Sequence, residues 1–221
     1  MNRKELARYI DHTLLKPEAT PEQVVRLCQE ALDYHCASVC VNPVYVPVAA
    51  DILEGSDVEV CAVIGFPLGA TSTAAKVCEA QLAIGQGATE IDMVIAVGLL
   101  KAGQVDRVRE DIAALAAVCH AGKAVLKVII ENALLTDAEK VTACQLAQAA
   151  SADFVKTSTG FAKSGAKLED VALMRQTIGP EMGIKAAGGI RTYDDAIAMI
   201  EAGATRIGAS STITILEGAL V

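Results

Sequence analysis

The chain contains 221 residues, of which 52% are hydrophobic and 21% are charged, and its formal net charge is −8 at pH 7. The high apolar content excludes an intrinsically disordered chain, and the negative charge argues against a general surface for nucleic acid or acidic membranes. Aromatic residues make up only 3%, and Trp is absent. The core is therefore predicted to be aliphatic, which is typical of a parallel sheet covered by helices.

The sequence contains no pattern that predicts export or membrane insertion. Residues 1–6 lack the long apolar run of a signal peptide, and charge or glycine interrupts every later apolar stretch before it reaches the length of a membrane span. We therefore expect a cytoplasmic protein that acts on a small molecule and has no nucleic-acid or membrane partner.

The seven cysteines and three histidines predict neither disulfides nor a metal site. The cysteines are odd in number and scattered through apolar segments, which is typical of reduced thiols. The nearest pair, Cys36 and Cys40, has no second pair beside it, and the histidines form no ligand cluster. We expect no metal ion and no cofactor.

Eight short apolar runs with strand character recur along the chain, at 9–14, 37–42, 58–64, 90–97, 124–130, 153–158, 183–187 and 205–209. Helical spacing of apolar residues lies between them, at 22–34, 73–85, 105–120, 137–150 and 168–178. Capping signals support these helix starts: Thr20, Thr136 and Thr192 each precede a Gln, Glu or Asp three residues later.

Eight strand–helix repeats without a linker predict an α/β protein with one domain over residues 1–221, a closed (β/α)₈ or TIM barrel. An open doubly wound sheet is the alternative. The turn after the first strand lacks the Gly-x-Gly-x-x-Gly pattern of a dinucleotide-binding sheet, which argues against that alternative.

Residue alternation places polar side chains inside the predicted barrel. In the fifth strand the even-numbered residues 126, 128 and 130 are aliphatic, so Lys127 faces inward. The same argument turns Asp92, Cys40 and Lys185 towards the barrel axis. Barrel interiors are usually filled by Val, Ile and Leu, so these polar groups indicate the catalytic end of the barrel, where the strands end.

Lys156 and Lys185 each lie where an apolar run meets a turn rich in Gly, Ser or Thr. A neutral lysine amine attacks carbonyl carbon and forms a Schiff base, but its ordinary pKa is near 10.4, so work at neutral pH needs a lowering worth about 4 kcal/mol. A second ammonium about 4 Å away supplies roughly that much at an effective dielectric near 20. Lys185 and Lys127 are both candidates for this second cation, and Asp92 would provide a carboxylate for proton transfer.

Two loops of the predicted barrel have the composition of a phosphate site. They follow the seventh and eighth strands, which is where barrels commonly hold phosphate, and glycines let backbone N–H groups approach an anion. The candidate residues in these loops are Gly188, Gly189, Arg191, Gly208, Ser210 and Ser211.

Four further residues have more than one interpretation. Asp11 could bind a substrate hydroxyl or pair with the lysines, and the sequence does not separate these roles. Cys40 is interpreted as a small inward filler rather than a nucleophile. His12 is expected to face the helices, and Thr157 to stabilise a turn through hydrogen bonds.

The sequence closely resembles the deoxyribose-phosphate aldolase family, a family of class I aldolases, nearly from end to end. The segments that carry the resemblance are IDHTLLKP (10–17), VCVNP (39–43), GFPLG (65–69), EIDMV (90–94), LKVIIE (126–131), FVKTSTGF (154–161) and KAAGGIR (185–191).

The resemblance implies reversible, metal-free cleavage of 2-deoxy-D-ribose 5-phosphate to D-glyceraldehyde 3-phosphate and acetaldehyde. It implies that Lys156 forms the Schiff base, that Lys185 lowers the pKa of this lysine and transfers protons, and that Asp92 is their partner carboxylate. It further implies that Asp11, Cys40, Lys127 and Thr157 contact substrate, together with the phosphate-loop residues, and that the protein forms a homodimer.

The chain departs from the family pattern in two places. It ends at Leu220 and Val221, whereas some members carry a longer tail that ends in a tyrosine implicated in proton transfer, so this step is expected to depend on Asp92, Lys185 and water. Asn132 replaces a usual Thr and is expected to adjust packing or hydrogen bonding. Two other functions stay open: a different Schiff-base sugar-phosphate aldolase, such as a transaldolase-like enzyme, and a barrel that only binds a phosphorylated metabolite.

Overall fold

The structure is a computed structural model that describes residues 1–219. Leu220 and Val221 lie outside the described residues, and the prediction that concerns a tyrosine tail falls on this part of the chain.

The sheet is a closed barrel of eight parallel strands in the order in which they occur along the chain. The open-sheet alternative is therefore wrong, because β1 pairs with β8 and closes the sheet. The strands are β1 (Ile10–Leu14), β2 (Ser38–Val41), β3 (Glu59–Ile64), β4 (Glu90–Val94), β5 (Val125–Ile129), β6 (Phe154–Lys156), β7 (Gly183–Ala187) and β8 (Arg206–Ala209).

Helices surround the barrel and connect its strands. The described residues form α1 (Arg3–Ala7), α2 (Pro21–Tyr34), α3 (Val46–Leu53), α4 (Thr73–Gly85), α5 (Val97–Lys101), α6 (Val105–Ala121), α7 (Asp137–Ala149), α8 (Leu168–Ile178), α9 (Tyr193–Glu201) and α10 (Thr212–Glu217). Short 3₁₀ turns lie at Pro43–Tyr45 and Asn132–Leu134. Thr20, Thr136 and Thr192 cap α2, α7 and α9 with reciprocal side-chain hydrogen bonds, as their capping signals predict.

The strand predictions are right in number and order but too long in several places. The fourth predicted strand reaches residue 97, whereas β4 ends at Val94 and α5 begins at Val97. The apolar run at 94–97 continues past the sheet because Ile95 and Val97 pack with the main hydrophobic cluster, so apolar character alone does not mark the end of a strand. The short helices α1, α3, α5 and α10 were not predicted.

The sheet separates two interiors of different chemistry. Between the sheet and the helices lies one continuous cluster of buried apolar side chains, in which each fully buried Val, Leu, Ile or Met contributes about 1.5–3 kcal/mol. Inside the barrel the apolar cluster is small and lies near the mouth, where Leu15, Cys40, Cys61 and Val63 pack with Phe66. The remaining interior is available to charged side chains.

Strand register brings the candidate residues together. Lys156 on β6 is level with Lys185 on β7, and Asp92 on β4 is level with Lys127 on β5. Side chains that are level on neighbouring parallel strands point to the same side of the sheet. The register therefore concentrates four charged groups in one half of the barrel interior.

None of the helices formed by residues 1–219 is both long enough and apolar enough to cross a membrane.

A buried ion pair outside the barrel joins two helices to the end of a strand. The Nζ of Lys76 on α4 lies 2.5 Å from Oδ2 of Asp111 on α6 and donates a hydrogen bond of 2.8 Å to the Val94 carbonyl. Thr73 donates to the other oxygen of Asp111 at 2.8 Å. Both charged side chains are buried.

We expect Asp111→Ala to lower the free energy of unfolding by about 3–5 kcal/mol, because it leaves the Lys76 ammonium buried without its partner. Urea denaturation followed by circular dichroism measures this change. The matched control is the double variant Lys76→Met/Asp111→Leu, which replaces both charges by apolar groups and is expected to recover most of the loss. A loss below about 1 kcal/mol in the single variant would contradict the prediction.

Candidate active site

A cavity of about 340 Å³ opens at the carboxyl ends of β1, β6, β7 and β8. Lys156 contributes its side chain to the cavity wall, and the loops after β7 and β8 form another part of that wall. This is the end of the barrel at which TIM-barrel enzymes carry their catalytic residues. The cavity is lined by Thr13, Leu14, Leu15, Lys16, Lys156, Thr159, Gly160, Phe161, Ala187, Gly188, Gly189, Ile190, Arg191, Gly208, Ala209, Ser210 and Ser211.

Three predicted catalytic residues meet below this cavity. The Nζ of Lys156 donates to Oδ2 of Asp92 at 2.6 Å, and the Nζ of Lys185 donates to the same oxygen at 2.7 Å. All three side chains are almost completely buried. Because both nitrogens contact one oxygen, they lie at most about 5 Å apart, where two ammonium groups repel by about 3 kcal/mol at an effective dielectric of 20.

The charge states of Asp92 and Lys185 follow from opposed effects. Burial alone raises the pKa of Asp92, but Lys127, Lys156 and Lys185 outweigh it and hold that pKa well below its ordinary value. Burial alone lowers the pKa of Lys185, but the carboxylates of Asp11 and Asp92 outweigh it and raise that pKa well above its ordinary value. At neutral pH Asp92 is therefore an anion and Lys185 a cation.

A second group of charges lies deeper in the barrel. Lys127 contacts Oδ1 of Asp92 at 3.0 Å and Oε2 of Glu90 at 2.5 Å. Asp11 lies between Lys185, whose Nζ is 2.5 Å from Oδ2, and Arg206, whose Nη1 is 2.6 Å from Oδ1. Arg206 also contacts Glu90 at 3.1 Å.

Glu90 and Arg206 were missed in the sequence analysis, although alternation could have found them. Glu90 precedes the inward-facing Asp92 by two residues, and Arg206 precedes Gly208 by two. Residues two apart on a strand face the same side, so both positions point into the barrel. They were overlooked because each begins its strand, at the end away from the expected site.

Two thiols adjoin Asp92. The Cys61 thiol donates to Oδ1 of Asp92 at 3.1 Å, and the Cys40 sulfur lies 3.9 Å from Oδ2. Burial, with the neighbouring Cys40 and Asp92, raises the pKa of Cys61 well above its ordinary value, so this thiol keeps its proton. Cys40 is level with Cys61 on the adjacent strand, and both belong to the small apolar cluster at the barrel mouth.

Within residues 1–219, side-chain groups close enough to share a metal ion are Cys40, Cys61 and Asp92, and also Asp11, Cys61 and Glu90. In both groups the carboxylate oxygens already contact Lys or Arg nitrogens. A cation would have to displace these buried side chains, so neither group fits a metal ion. The expected absence of a metal stays a prediction.

All six predicted phosphate-loop residues line the cavity. Gly188 and Gly189 have φ angles of 86° and 84°, a conformation that glycine adopts without strain. Gly208 leaves room for the side chain of Lys185, because a Cβ there would lie 3.1 Å from Cε of Lys185. Lys16 adds an exposed cation that the sequence analysis did not single out, although it occurs in the IDHTLLKP segment.

The other predicted substrate contacts lie below the cavity or beside it. Asp11, Cys40 and Lys127 are fully buried in the barrel and are not part of the cavity wall. Thr157 is also buried, and its hydroxyl donates to the carbonyl of Ala187 and accepts from the N–H of the same residue. This arrangement ties the end of β6 to the end of β7. The substrate contacts predicted for these four residues stay predictions.

Two further residues have the structural surroundings that the sequence suggested. His12 points to α2, where its Nε2 lies 2.8 Å from a Glu30 oxygen. The backbone N–H of Asn132 donates to the Thr157 carbonyl at 2.9 Å, and its side chain donates to the Met174 sulfur.

The β6–α8 loop contributes more residues to the site than the sequence predicted. Thr159, Gly160 and Phe161 line the cavity, and the Glu131 carboxylate accepts hydrogen bonds from the N–H and hydroxyl of Thr159. Glu131 has a left-handed backbone conformation at φ 56°, which turns the chain at the end of β5 towards this loop. The segment FVKTSTGF contains these positions, but spacing alone did not reveal which side chains reach the cavity.

The family model described as "DeoC/LacD family aldolase" matches residues 6–218. The chain belongs to this aldolase family. The family expectation drawn from its sequence segments is therefore confirmed.

Similar proteins support the same assignment. The aldolase is 61% identical over 214 residues to a deoxyribose-phosphate aldolase of Streptococcus gordonii, covering 97% of this chain and 96% of that protein. The crystal structure of a putative deoxyribose-phosphate aldolase from Coccidioides immitis matches with a TM-score of 0.94 and 43% identity, covering 98% of this chain and 86% of the other. Aeropyrum pernix deoxyribose phosphate aldolase, described as having a unique tetrameric structure, matches with a TM-score of 0.92 and 37% identity over 98% and 91% of the two chains.

The Asp11 carboxylate makes the stability of the aldolase depend on pH. Burial alone raises the pKa of Asp11, but Lys185, Arg206 and Lys127 outweigh it and lower that pKa below its ordinary value. The folded protein therefore keeps Asp11 ionised while the unfolded chain binds a proton near pH 3.9, so this stabilisation is present above about pH 4 and is lost as the pH falls.

We expect Asp11→Asn to reduce the dependence of the unfolding free energy on pH, by up to about 1.4 kcal/mol per pH unit between about pH 4 and pH 3. Urea denaturation at a series of pH values measures the two slopes. Asp51→Asn, which removes an exposed carboxylate, is the matched control and is expected to leave the slope nearly unchanged. Equal slopes for wild type and Asp11→Asn would refute the assignment of an ionised Asp11.

Proposed function

We propose that this aldolase reversibly cleaves 2-deoxy-D-ribose 5-phosphate to D-glyceraldehyde 3-phosphate and acetaldehyde through a Schiff base on Lys156. The observation that carries the proposal is the contact of Lys156 and Lys185 with one oxygen of Asp92, directly below a cavity lined by the glycine pair after β7 and the two serines after β8. The name deoxyribose-phosphate aldolase that the similar proteins bear supports the same substrate.

The cavity suits an extended sugar phosphate bound in one direction. The loops after β7 and β8 supply backbone N–H groups and serine hydroxyls, and Lys16 and Arg191 supply positive charge. Lys156 lies on the wall formed by β6. A phosphate held by the loops would direct the aldehyde carbon of the open-chain sugar towards Lys156.

The proposed reaction begins with attack of the neutral Lys156 amine on the C1 aldehyde of the sugar. Loss of water from the resulting carbinolamine gives an iminium ion, which accepts the electron pair when the C2–C3 bond breaks. The C3 hydroxyl loses its proton, C3 becomes the aldehyde carbon of D-glyceraldehyde 3-phosphate, and this product departs. The remaining enamine is protonated at C2, and water then releases acetaldehyde and restores the amine.

Asp92 and Lys185 are suited to the proton transfers in this sequence. Asp92 contacts the nitrogen of Lys156 directly, and Lys185 contacts the same Asp92 oxygen, so a proton can pass between the three groups over short distances. Lys185 keeps its charge at neutral pH and disfavours a second ammonium beside it.

The two alternative functions predict different chemistry at Lys156. A transaldolase-like enzyme would form the same Lys156 adduct but would transfer a longer carbon fragment than acetaldehyde. A binding protein without activity would hold a sugar phosphate and form no adduct. The buried, shared Asp92 oxygen has no evident use in a protein that only binds phosphate, which disfavours this function.

The carrier of the Schiff base is tested by reduction with borohydride in the presence of acetaldehyde, followed by peptide mapping. We expect the peptide that contains Lys156 to gain the mass of one ethyl group. The imine forms on this amine, and borohydride reduces it to a stable amine. Lys156→Ala is expected to lose the adduct and at least about 1,000-fold of the cleavage rate while it retains the wild-type circular dichroism spectrum.

Lys163→Ala, an exposed lysine of the same loop, is the matched control for that variant and is expected to keep both adduct and activity. Cleavage of 2-deoxyribose 5-phosphate, detected through its triose phosphate product, separates this activity from a transaldolase-like one. An unmodified Lys156 in a protein that still binds the sugar phosphate would favour the binding function.

The proposed binding of the substrate phosphate beside Arg191 and Lys16 is tested by the variants Arg191→Ala and Lys16→Ala. Each is expected to raise the KM for 2-deoxyribose 5-phosphate by about 3- to 30-fold, because a charge-assisted contact to phosphate is lost in a solvent-exposed position. The KM for unphosphorylated 2-deoxyribose, measured like that of the phosphate ester through the acetaldehyde that both substrates release, is expected to stay within about twofold. Equal increases for both substrates would contradict the phosphate assignment.

We also propose that the protein assembles with copies of itself, as the relative from Aeropyrum pernix described as tetrameric does. The homodimer implied by the family resemblance is one such assembly, and light scattering coupled to size-exclusion chromatography measures the number of subunits. The cytoplasmic location stays a prediction.

A further inference from the structure

The buried charges of the barrel interior form a closed ring in which acids and bases alternate. Each contact between neighbours measures between 2.5 and 3.1 Å. We call this arrangement the charge ring, and its members are, in order of contact, Asp92, Lys127, Glu90, Arg206, Asp11 and Lys185, which returns to Asp92.

The charge ring is electrically neutral when all its members are ionised, because it contains three carboxylates and three cations. Lys156 is attached to it from outside, through Asp92 only. Among the side chains of residues 1–219, no other carboxylate lies within salt-bridge distance of the Lys156 nitrogen. Protonation of Lys156 therefore adds an uncompensated positive charge to a buried network that is already balanced.

Every strand of the barrel contributes one or two polar or charged side chains to the charge ring or its immediate surroundings. The charged groups come from β1, β4, β5, β6, β7 and β8, whereas β2 and β3 contribute the thiols Cys40 and Cys61. The thiol of Cys61 also contacts Lys127, at 3.4 Å. On the cavity side, Lys16 and Arg191 are the other charged residues that line the same opening, and both are exposed to solvent. The buried charge balance around Lys156 is thus set by the ring together with Lys156 itself.

Two ring members lie at the opposite end of the barrel from the catalytic cavity. Glu90 and Arg206 line a second opening of about 480 Å³ at the amino ends of the strands, which we call the floor cavity. The Arg206 side chain is 16% exposed and lies over the Phe154 ring, with its central carbon 5.5 Å from the ring centre. Neither residue touches the cavity in which substrate is proposed to bind.

The contacts nevertheless connect Glu90 closely to the nucleophile. Glu90 contacts Lys127, Lys127 contacts one oxygen of Asp92, and Lys156 contacts the other. Along these contacts Glu90 and the Lys156 nitrogen are no more than about 10 Å apart, a distance at which a buried unit charge shifts a protonation equilibrium by about one pH unit at an effective dielectric of 20.

We infer that Glu90 and Arg206 are positioning residues of the aldol reaction: from the floor of the barrel they balance the charge ring and thereby set the pH at which the Lys156 amine becomes nucleophilic. The inference rests on the proposed function, because it assumes that Lys156 forms the Schiff base. Glu90 and Arg206 act through Lys127, Asp11 and Asp92 and touch neither substrate nor reacting atoms.

The inference predicts opposite effects for opposite charge changes. Glu90→Gln leaves the ring with one excess positive charge, which disfavours a proton on Lys156 and is expected to move the pH midpoint of adduct formation down by about one unit. Arg206→Gln leaves one excess negative charge, which favours the proton and is expected to move the midpoint up by about one unit.

The measurement is the initial rate of acetaldehyde trapping by cyanoborohydride at a series of pH values, with the Lys156 adduct quantified by mass spectrometry. Acetaldehyde carries no phosphate, so the phosphate loops do not affect the result. Circular dichroism melting at each pH identifies variants that have lost the fold.

Four further variants distinguish charge balance from packing. Glu59→Gln and Lys123→Gln remove exposed charges that line the same floor cavity but lie outside the ring, and both are expected to leave the midpoint unchanged. Arg206→Lys keeps the charge and is expected to stay close to wild type. The double variant Glu90→Gln/Arg206→Gln removes one charge of each sign and is expected to return the midpoint towards the wild-type value.

The outcomes separate this inference from the proposed function. If the wild-type protein forms no adduct at any pH, the proposed function fails. If the wild type forms the adduct but the two folded single variants show an unchanged midpoint, or shifts of the same sign, the inference is overturned while the function stands. If Arg206→Gln does not fold, Glu90→Gln compared with Glu59→Gln still decides, because a purely structural role predicts no downward shift.

Discussion

The structure of the site depends on the sharing of one buried carboxylate by three lysines. Asp92 contacts Lys127 through one oxygen and both Lys156 and Lys185 through the other. In a dry interior each of these charges would be costly alone, so none of them is stable there without the others. Other strands of the barrel provide the further charged partners of these lysines.

Those partners explain why the barrel interior is polar through much of its length. Asp11 balances Lys185, Glu90 balances Lys127, and Arg206 joins the two carboxylates at the floor. The network leaves Lys156 as the one lysine of this group that depends on Asp92 alone among the described residues. Lys156 lies at the edge of this balanced network and lines the cavity, and these two features distinguish it from Lys127 and Lys185.

The charged side chains below the cavity and the loops that line it are built differently. The charged side chains lie on strands, where hydrogen-bonded neighbours hold them at defined heights, whereas the loops after β7 and β8 contain glycines that allow close backbone approach. Gly208 belongs to both parts, because it lines the cavity and leaves space for Lys185.

The sequence by itself determined the number and order of the strands, the barrel class and the family. It also determined the inward direction of Lys127, Asp92 and Lys185. Strand alternation and local apolar patterns are properties of neighbouring residues, so they can be recognised without the structure. Only the tertiary structure decided that Glu90 and Arg206 join the same network, and that Asp11 and Lys127 lie beneath the cavity rather than in its wall. These facts depend on barrel closure, which brings β1 beside β8 and sets the strand register. Register between distant strands arises from pairing and packing across the whole barrel, so no local stretch of sequence encodes it.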